Sequence, residues 1–330
     1  MTRTQEKIQL TQRPRRNRSS DAIRRMVRET SISPNDFILP LFIMEGDDAR
    51  SAIPSMPGQS RLGRNPLLKE AREAFELGIP AIAIFPLIAE SKKDPLAKES
   101  LNPQGLYLRT ISMLKNELPD LAIVTDVAMD PYSSDGHDGF VEGGKIINDK
   151  SLEILAAMAV AQAEAGADIV APSDMMDGRV GHIRRALDDR GFSGVSILAY
   201  SAKYASAFYG PFRDALDSAP RHGDKKTYQM DPANREEAIR EVLLDVQEGA
   251  DMVMIKPALS YLDVIAEVKS RVQVPVAAYN VSGEYAMVKA AAQNGWLDET
   301  AVMREMLLSI KRAGADIILS YFAKDMARML

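Results

Sequence analysis

The sequence predicts a single (β/α)8 barrel, the TIM-barrel member of the α/β class, on three observations. Eight short apolar runs are separated by longer helix-like stretches. One helix–Gly–strand joint recurs three times along the chain. No Gly-rich phosphate fingerprint follows the first apolar run, which argues against a doubly wound open sheet.

The runs are Phe37–Ile43, Ala81–Phe85, Leu121–Asp126, Asp168–Ala171, Val195–Tyr200, Met252–Lys256, Val276–Tyr279 and Ile317–Tyr321. Bounded by turn residues, they read as parallel strands buried on both faces. Helical patterns fill 66–77, 151–165, 178–190, 234–248, 261–270, 284–293 and 298–313. Glu164-Ala-Gly-Ala-Asp168 leads into the fourth run, Glu248-Gly-Ala-Asp251 into the sixth and Ala313-Gly-Ala-Asp316 into the eighth. Each Gly falls where a helix must end and turn. Residues 1–34 read as an extended N-terminal arm and 35–330 as the catalytic barrel.

Composition narrows the function. At 330 residues and 46% hydrophobic, the chain can bury a large core. A net charge of −5 argues against nucleic acid as a partner. The absence of cysteine excludes disulfides and thiolate metal sites, and fits a reducing, cytoplasmic setting. No apolar run approaches the ~20 residues of a membrane helix. Arg3, Arg13, Arg15, Arg16 and Arg18 crowd the start, but no apolar block follows, so no secretory signal is expected. Glu6 and the lack of a Ser-rich stretch weaken a transit peptide. The arm is expected to lie outside the barrel, against a neighbouring subunit.

Barrel enzymes place their chemistry at the C-terminal ends of the strands. There the chain offers Asp126, Ser173, Asp174, Lys203 just past the fifth run, Lys256, Asn280, Ser282 and Tyr321. Lys256 closes an apolar run and starts desolvated; a second ammonium, Lys203, follows just past the adjacent strand. Burial and a like charge both lower a lysine pKa and leave an amine able to attack a ketone. The insert from Tyr209 to Pro232 has little periodicity and carries Arg213, Arg221, Lys225 and Lys226. A loop this long in a compact barrel reads as a lid whose cations grip a carboxylate.

The third run ends in Asp126, and the loop after it holds Asp130, Asp135 and Asp138. It can be read as a loose calcium loop, as turn-shaping residues, or as carboxylates that move protons beside the lysines. Its exit at the active face favours the last, with Asp126, Asp130 and Asp138 as catalytic candidates. His137, His182 and His222 are too scattered for a metal triad and read as structural.

At these residues the sequence resembles the porphobilinogen synthase family, also called 5-aminolevulinate dehydratase. The strings are Tyr200-Ser-Ala-Lys203-Tyr-Ala-Ser, Gly210-Pro-Phe-Arg213, Thr227-Tyr-Gln-Met-Asp-Pro232 and Met254-Ile-Lys256-Pro257. Ala278-Tyr-Asn-Val-Ser-Gly-Glu284-Tyr, Ala171-Pro-Ser-Asp-Met-Met-Asp-Gly178-Arg, Arg13-Pro-Arg-Arg16 and Pro54-Ser-Met-Pro-Gly58 also match. The resemblance implies condensation of two 5-aminolevulinate molecules to porphobilinogen with loss of two waters. It assigns Lys256 to an imine with the propionate-side substrate and Lys203 to an imine with the acetate-side one. Ser282 and Tyr321 would hold the first carboxylate; Arg213, Lys225 and Gln229 would hold the second. Ser173 and Tyr279, also at strand ends, join the substrate-binding set.

The resemblance also speaks to metals. Zinc-dependent members carry three cysteines where this chain has Ala128, Asp130 and Asp138, so it resembles the aspartate-bearing, zinc-independent branch. Glu241 matches the position of an allosteric magnesium ligand. Asp135 stands where many relatives have histidine, which puts a proton role there in doubt. A homo-octamer is the implied assembly. Proton removal beside the imines is assigned to Asp130 or Asp138. Two rivals are weighed: a class I Schiff-base aldolase, which needs one imine lysine and usually a phosphate site, and a non-catalytic barrel, which leaves the paired lysines unexplained.

Overall fold

The computed structural model describes residues 10–330. The chain divides into two compact units, Met1–Ser31 and Ile32–Leu330. In the first, Pro14–Arg18 forms a 3-10 turn and Asp21–Met26 a short helix, started by the Ser20 hydroxyl accepting from the Ile23 amide; neither element buries a residue. Arg3 and Glu6 lie outside the described residues.

In the second unit eight parallel strands close on themselves. They are β1 (Phe37–Ile43), β2 (Ala81–Pro86), β3 (Ala122–Val127), β4 (Ile169–Pro172), β5 (Ser196–Lys203), β6 (Met252–Lys256), β7 (Val276–Asn280) and β8 (Ile317–Ser320). Each pairs with the next, and β8 returns to pair with β1, as the run of apolar segments predicts. Every residue of β1 and β2 is buried, because the strands face side chains inside and helices outside. The largest helices are Arg64–Glu76, Asn148–Glu164, Glu236–Glu248 and Glu299–Arg312.

The repeated joint has a physical cause. Gly166, Gly249 and Gly314 take positive φ of 107°, 108° and 117°, a region that a side chain would strain. The aspartate two residues later then caps the neighbouring strand. Asp168 accepts from the Ile123 amide, Asp251 from Ile197 and Asp316 from Val276, at 2.9, 2.7 and 2.8 Å. Each even-numbered strand from β4 onward is thus stitched to the odd-numbered one before it.

Three features depart from the sequence reading. The fifth strand continues to Lys203 instead of ending at Tyr200, because Ser201 and Lys203 are buried despite being polar. A helix at Leu106–Glu117 fills the gap between β2 and β3. The Tyr209–Pro232 insert is not aperiodic throughout: Gly210–Leu216 forms a helix.

Candidate active site

The extended β5 brings the two lysines together. Lys203 and Lys256 are direct cross-strand partners at the C-terminal ends of β5 and β6. Both are buried, Lys256 to 6% exposure. The Lys256 ammonium lies 4.8 to 5.2 Å from the ring centres of Tyr279, Phe212, Tyr209 and Tyr200. Such rings favour a cation, yet burial and then the like charge of Lys203 dominate and bring the Lys256 pKa down to about 7. Lys203 donates to the Ser173 carbonyl at the end of β4 and stands 3.9 Å from Asp138 Oδ1.

The three candidate aspartates have different environments. Asp126 lies in β3, and its buried Oδ1 has no hydrogen-bond partner. Burial, then the charge of Asp130, raise its pKa to about 7, while Lys203 and Lys256 pull the other way. Asp138 feels the same burial, but the ammoniums of Lys203 and Lys225 outweigh it and hold the carboxyl at about 2. Asp130 is raised by burial, opposed by Lys225. Lys225 sits between them, 3.1 Å from Asp130 and 3.2 Å from Asp138, and stays charged because the two carboxylates overcome its burial. Gln229 Nε2 approaches Asp138 at 3.5 Å.

The proposed carboxylate ligands fall in two groups. Tyr279 and Tyr321 share a hydroxyl–hydroxyl hydrogen bond of 2.9 Å beside Phe42, Phe85 and Lys256. Ser282 opens the helix after β7, and its Oγ accepts from the Phe212 amide at 3.0 Å. Arg213 lies on the Gly210–Leu216 helix, partly buried, and among the described residues its guanidinium makes no hydrogen bond. This helix and the following loop cover the site. Gly136 is required under the loop, since a Cβ there would stand 2.3 Å from the Ala219 carbonyl. Glu241 is partly buried in a cleft of about 1020 Å³ that it shares with Asp177 and Glu237 and with His137, Tyr228 and Gln229.

Several site residues were not singled out from sequence. Phe212, Tyr200 and Tyr209 cage Lys256, and nothing in their sequence context marks three aromatics as one cluster. His137, read as structural, fastens the lid: its Nε2 donates to the His222 carbonyl at 2.9 Å, and its Nδ1 hydrogen-bonds with the Tyr228 hydroxyl at 3.1 Å. Arg179 grips Asp245 through two bonds of 2.6 and 3.0 Å and stands 3.8 Å from Asp174. Burial, opposed by Arg179, raises Asp174 to about 6.

Comparison with known proteins agrees with this geometry. The family model for delta-aminolevulinic acid dehydratase matches residues 11–329. The chain is 57% identical to the chloroplastic delta-aminolevulinic acid dehydratase of Physcomitrium patens, over 96% of this chain and 74% of that one. It is 52% identical to the Synechococcus elongatus enzyme of the same name, over 97% and 99%. The crystal structure of porphobilinogen synthase from Toxoplasma gondii ME49 with its product porphobilinogen superposes with a TM-score of 0.95 at 52% identity, covering 97% of this chain and 92% of that one. The chain therefore belongs to the delta-aminolevulinic acid dehydratase family.

Proposed function

We propose that the chain performs its family's reaction through two lysine imines, on Lys256 and Lys203. The reaction is porphobilinogen synthesis: two 5-aminolevulinate molecules condense and two waters leave. The aldolase and non-catalytic readings give way to it. The observation that carries the two-imine reading is the cross-strand pairing of the lysines, with Lys256 brought down to about 7.

In this mechanism the neutral Lys256 amine attacks the ketone carbon of the first substrate, and the adduct expels one water. Lys203 does the same with the second. Holding both substrates as imines makes the condensation unimolecular, an effect worth ~7–11 kcal/mol. A carbon–carbon bond and the ring-closing carbon–nitrogen bond then return both lysines as free amines. Asp126, raised to about 7, is suited to take the proton alpha to an iminium. This moves the proton role from Asp130 and Asp138, which Lys225 engages; Asp138 at about 2 serves as a fixed negative charge. Ser282, Tyr321 and Tyr279 would receive the first carboxylate, and Arg213, Lys225 and Gln229 the second, with Ser173 orienting Lys203.

Zinc bound by thiolates is impossible without cysteine. The two carboxylates at the matching positions are each paired with the Lys225 ammonium, so they are not presented to a cation. Magnesium is a separate proposal at Glu241, with Asp177 and Glu237 on the same cleft. Among the described residues no three metal-ligating side chains converge, so the ion would keep most of its waters. Its charge would answer a carboxyl that burial raises. Glu241→Gln should abolish any magnesium stimulation of activity.

A homo-octamer is proposed from the arm, whose two short helical segments bury nothing and leave Met26 84% exposed. Sedimentation of the full chain tests it. A cytoplasmic setting is our placement, resting on the cysteine-free composition, although plant relatives are chloroplastic; no helix in the described residues is long and apolar enough to cross a membrane. The imine reading is tested by borohydride trapping with 5-aminolevulinate, with and without chelator, followed by peptide mapping. Chelator-resistant adducts on both lysines are expected, and the absence of any adduct would refute it.

A further inference from the structure

The lid helix Gly210–Leu216 spans about two turns, too short to be stable by itself, and buries only Ala215 and Leu216. Its carbonyl end is nevertheless held. The Arg213 carbonyl accepts from the Asp217 amide. Arg61 Nε donates to the Ala215 carbonyl and Nη2 to the Asp214 carbonyl, both at 2.7 Å. Lys93 Nζ donates at 2.9 Å to the carbonyl of Asp217, whose φ is 49°.

These two cations come from outside the groups assigned above to chemistry or substrate. Arg61 lies on the short strand Ser60–Leu62 beside β1, in register with Phe42. Lys93 follows β2, and its side chain is 2% exposed. Among the described residues Arg61 forms no ion pair with a carboxylate; its partners are helix carbonyls and, at 3.4 Å, the Ser51 hydroxyl. Lys93 also stands 3.3 Å from Glu90. Cations at a helix C-terminus answer both the unpaired carbonyls and the negative end of the dipole. The fork of Arg61 spans two successive carbonyls, fixing an orientation that a point charge does not.

What they hold bears on the site. The same helix carries Phe212, whose amide bonds Ser282 and whose ring lies 4.9 Å from the Lys256 ammonium. That ring also packs on Phe42 and Phe85, at 5.6 and 5.2 Å. Arg213 is the next residue. We propose that Arg61 and Lys93 are positioning residues that latch the lid helix, seating Phe212 over Lys256 and Arg213 at the second substrate's carboxylate. The effect on substrate rests on the assignment of Arg213 given above; the latch itself does not.

The test uses the full-length chain with Arg61→Met, Arg61→Lys and Lys93→Met. Each is measured for melting temperature, for tryptic cleavage after Arg213, Arg221 and Lys226 by mass spectrometry, and for kcat and KM with 5-aminolevulinate. The latch predicts lid cleavage and KM both rising about ten- to a hundredfold in Arg61→Met, the effect of losing hydrogen bonds to a charged group. Melting should stay near wild type and kcat should change less than KM. Arg61→Lys should fall between, since it keeps the charge and loses the fork. If Arg61→Met melts early, Arg61→Lys and Lys93→Met decide by the same two readings. Unchanged lid cleavage in the folded variants overturns the latch. Faster lid cleavage with unchanged KM would keep the latch and refute the assignment of Arg213.

Discussion

Lys256→Met keeps the length of the side chain and removes its amine. Burial and Lys203 bring this lysine from 10.5 to about 7, so the folded state disfavours its proton by about 5 kcal/mol at 1.36 kcal/mol per pK unit. The folded pKa lies below the unfolded one, so the penalty is full below pH 7. It shrinks as pH rises and vanishes above pH 10.5. At pH 8 it is about 3 kcal/mol, and at pH 10 under about 1 kcal/mol, by the same conversion. Methionine places an apolar chain among Tyr200, Tyr209, Phe212 and Tyr279, where no proton must be lost. The variant should therefore lose all turnover and borohydride trapping at this position, yet melt on the order of 5 °C higher at pH 8. That gain should fade by pH 10. Thermal denaturation of wild type and variant at the two pH values reads it directly. A variant less stable than wild type at pH 8, or a gain independent of pH, would refute the claim that this lysine is held against its own charge.

Three further outcomes follow from the same electrostatics. The kcat/KM profile should rise with pH through about 7, because Lys256 must lose its proton to attack and Asp126 must lose its own to accept one; the apparent value belongs to the pair. A profile flat from pH 6 to 8 would contradict both shifts. Asp126→Asn should slow turnover by about 10²–10⁴-fold while leaving a trappable imine on Lys256; equal loss of imine and turnover would show that Asp126 supports the lysine and does not move a proton. Arg179→Met should destabilise the fold by about 3–5 kcal/mol, since Asp245 and Asp174 lose the cation they face in the interior, and urea unfolding measures it.

The barrel was legible because its signals are local. Apolar runs of strand length, and glycines where helices turn into strands, are properties of contiguous residues. The repeated aspartate after each such glycine was visible as an echo, but its cause was not: the partner amides of Ile123, Ile197 and Val276 lie 40 to 54 residues away in sequence. The last residues of β5 were missed for a related reason. Ser201 and Lys203 look like a loop until the neighbouring strands bury them.

By itself the sequence determined the fold class, the two lysines at strand ends, the cysteine-free aspartate loop and, through its motifs, the family. Tertiary structure decided what those residues can do. Asp126 at the end of β3 and Asp130 and Asp138 in the loop after it carry the same side chain, yet Asp126 sits at about 7 and Asp138 at about 2, because Lys203 and Lys225 reach Asp138 from other elements. The Lys256 cage likewise comes from β5, β7 and the lid. A titration is set by burial and by charges a few ångströms away, and those neighbours are brought close by the closed barrel, not by the order of residues along the chain.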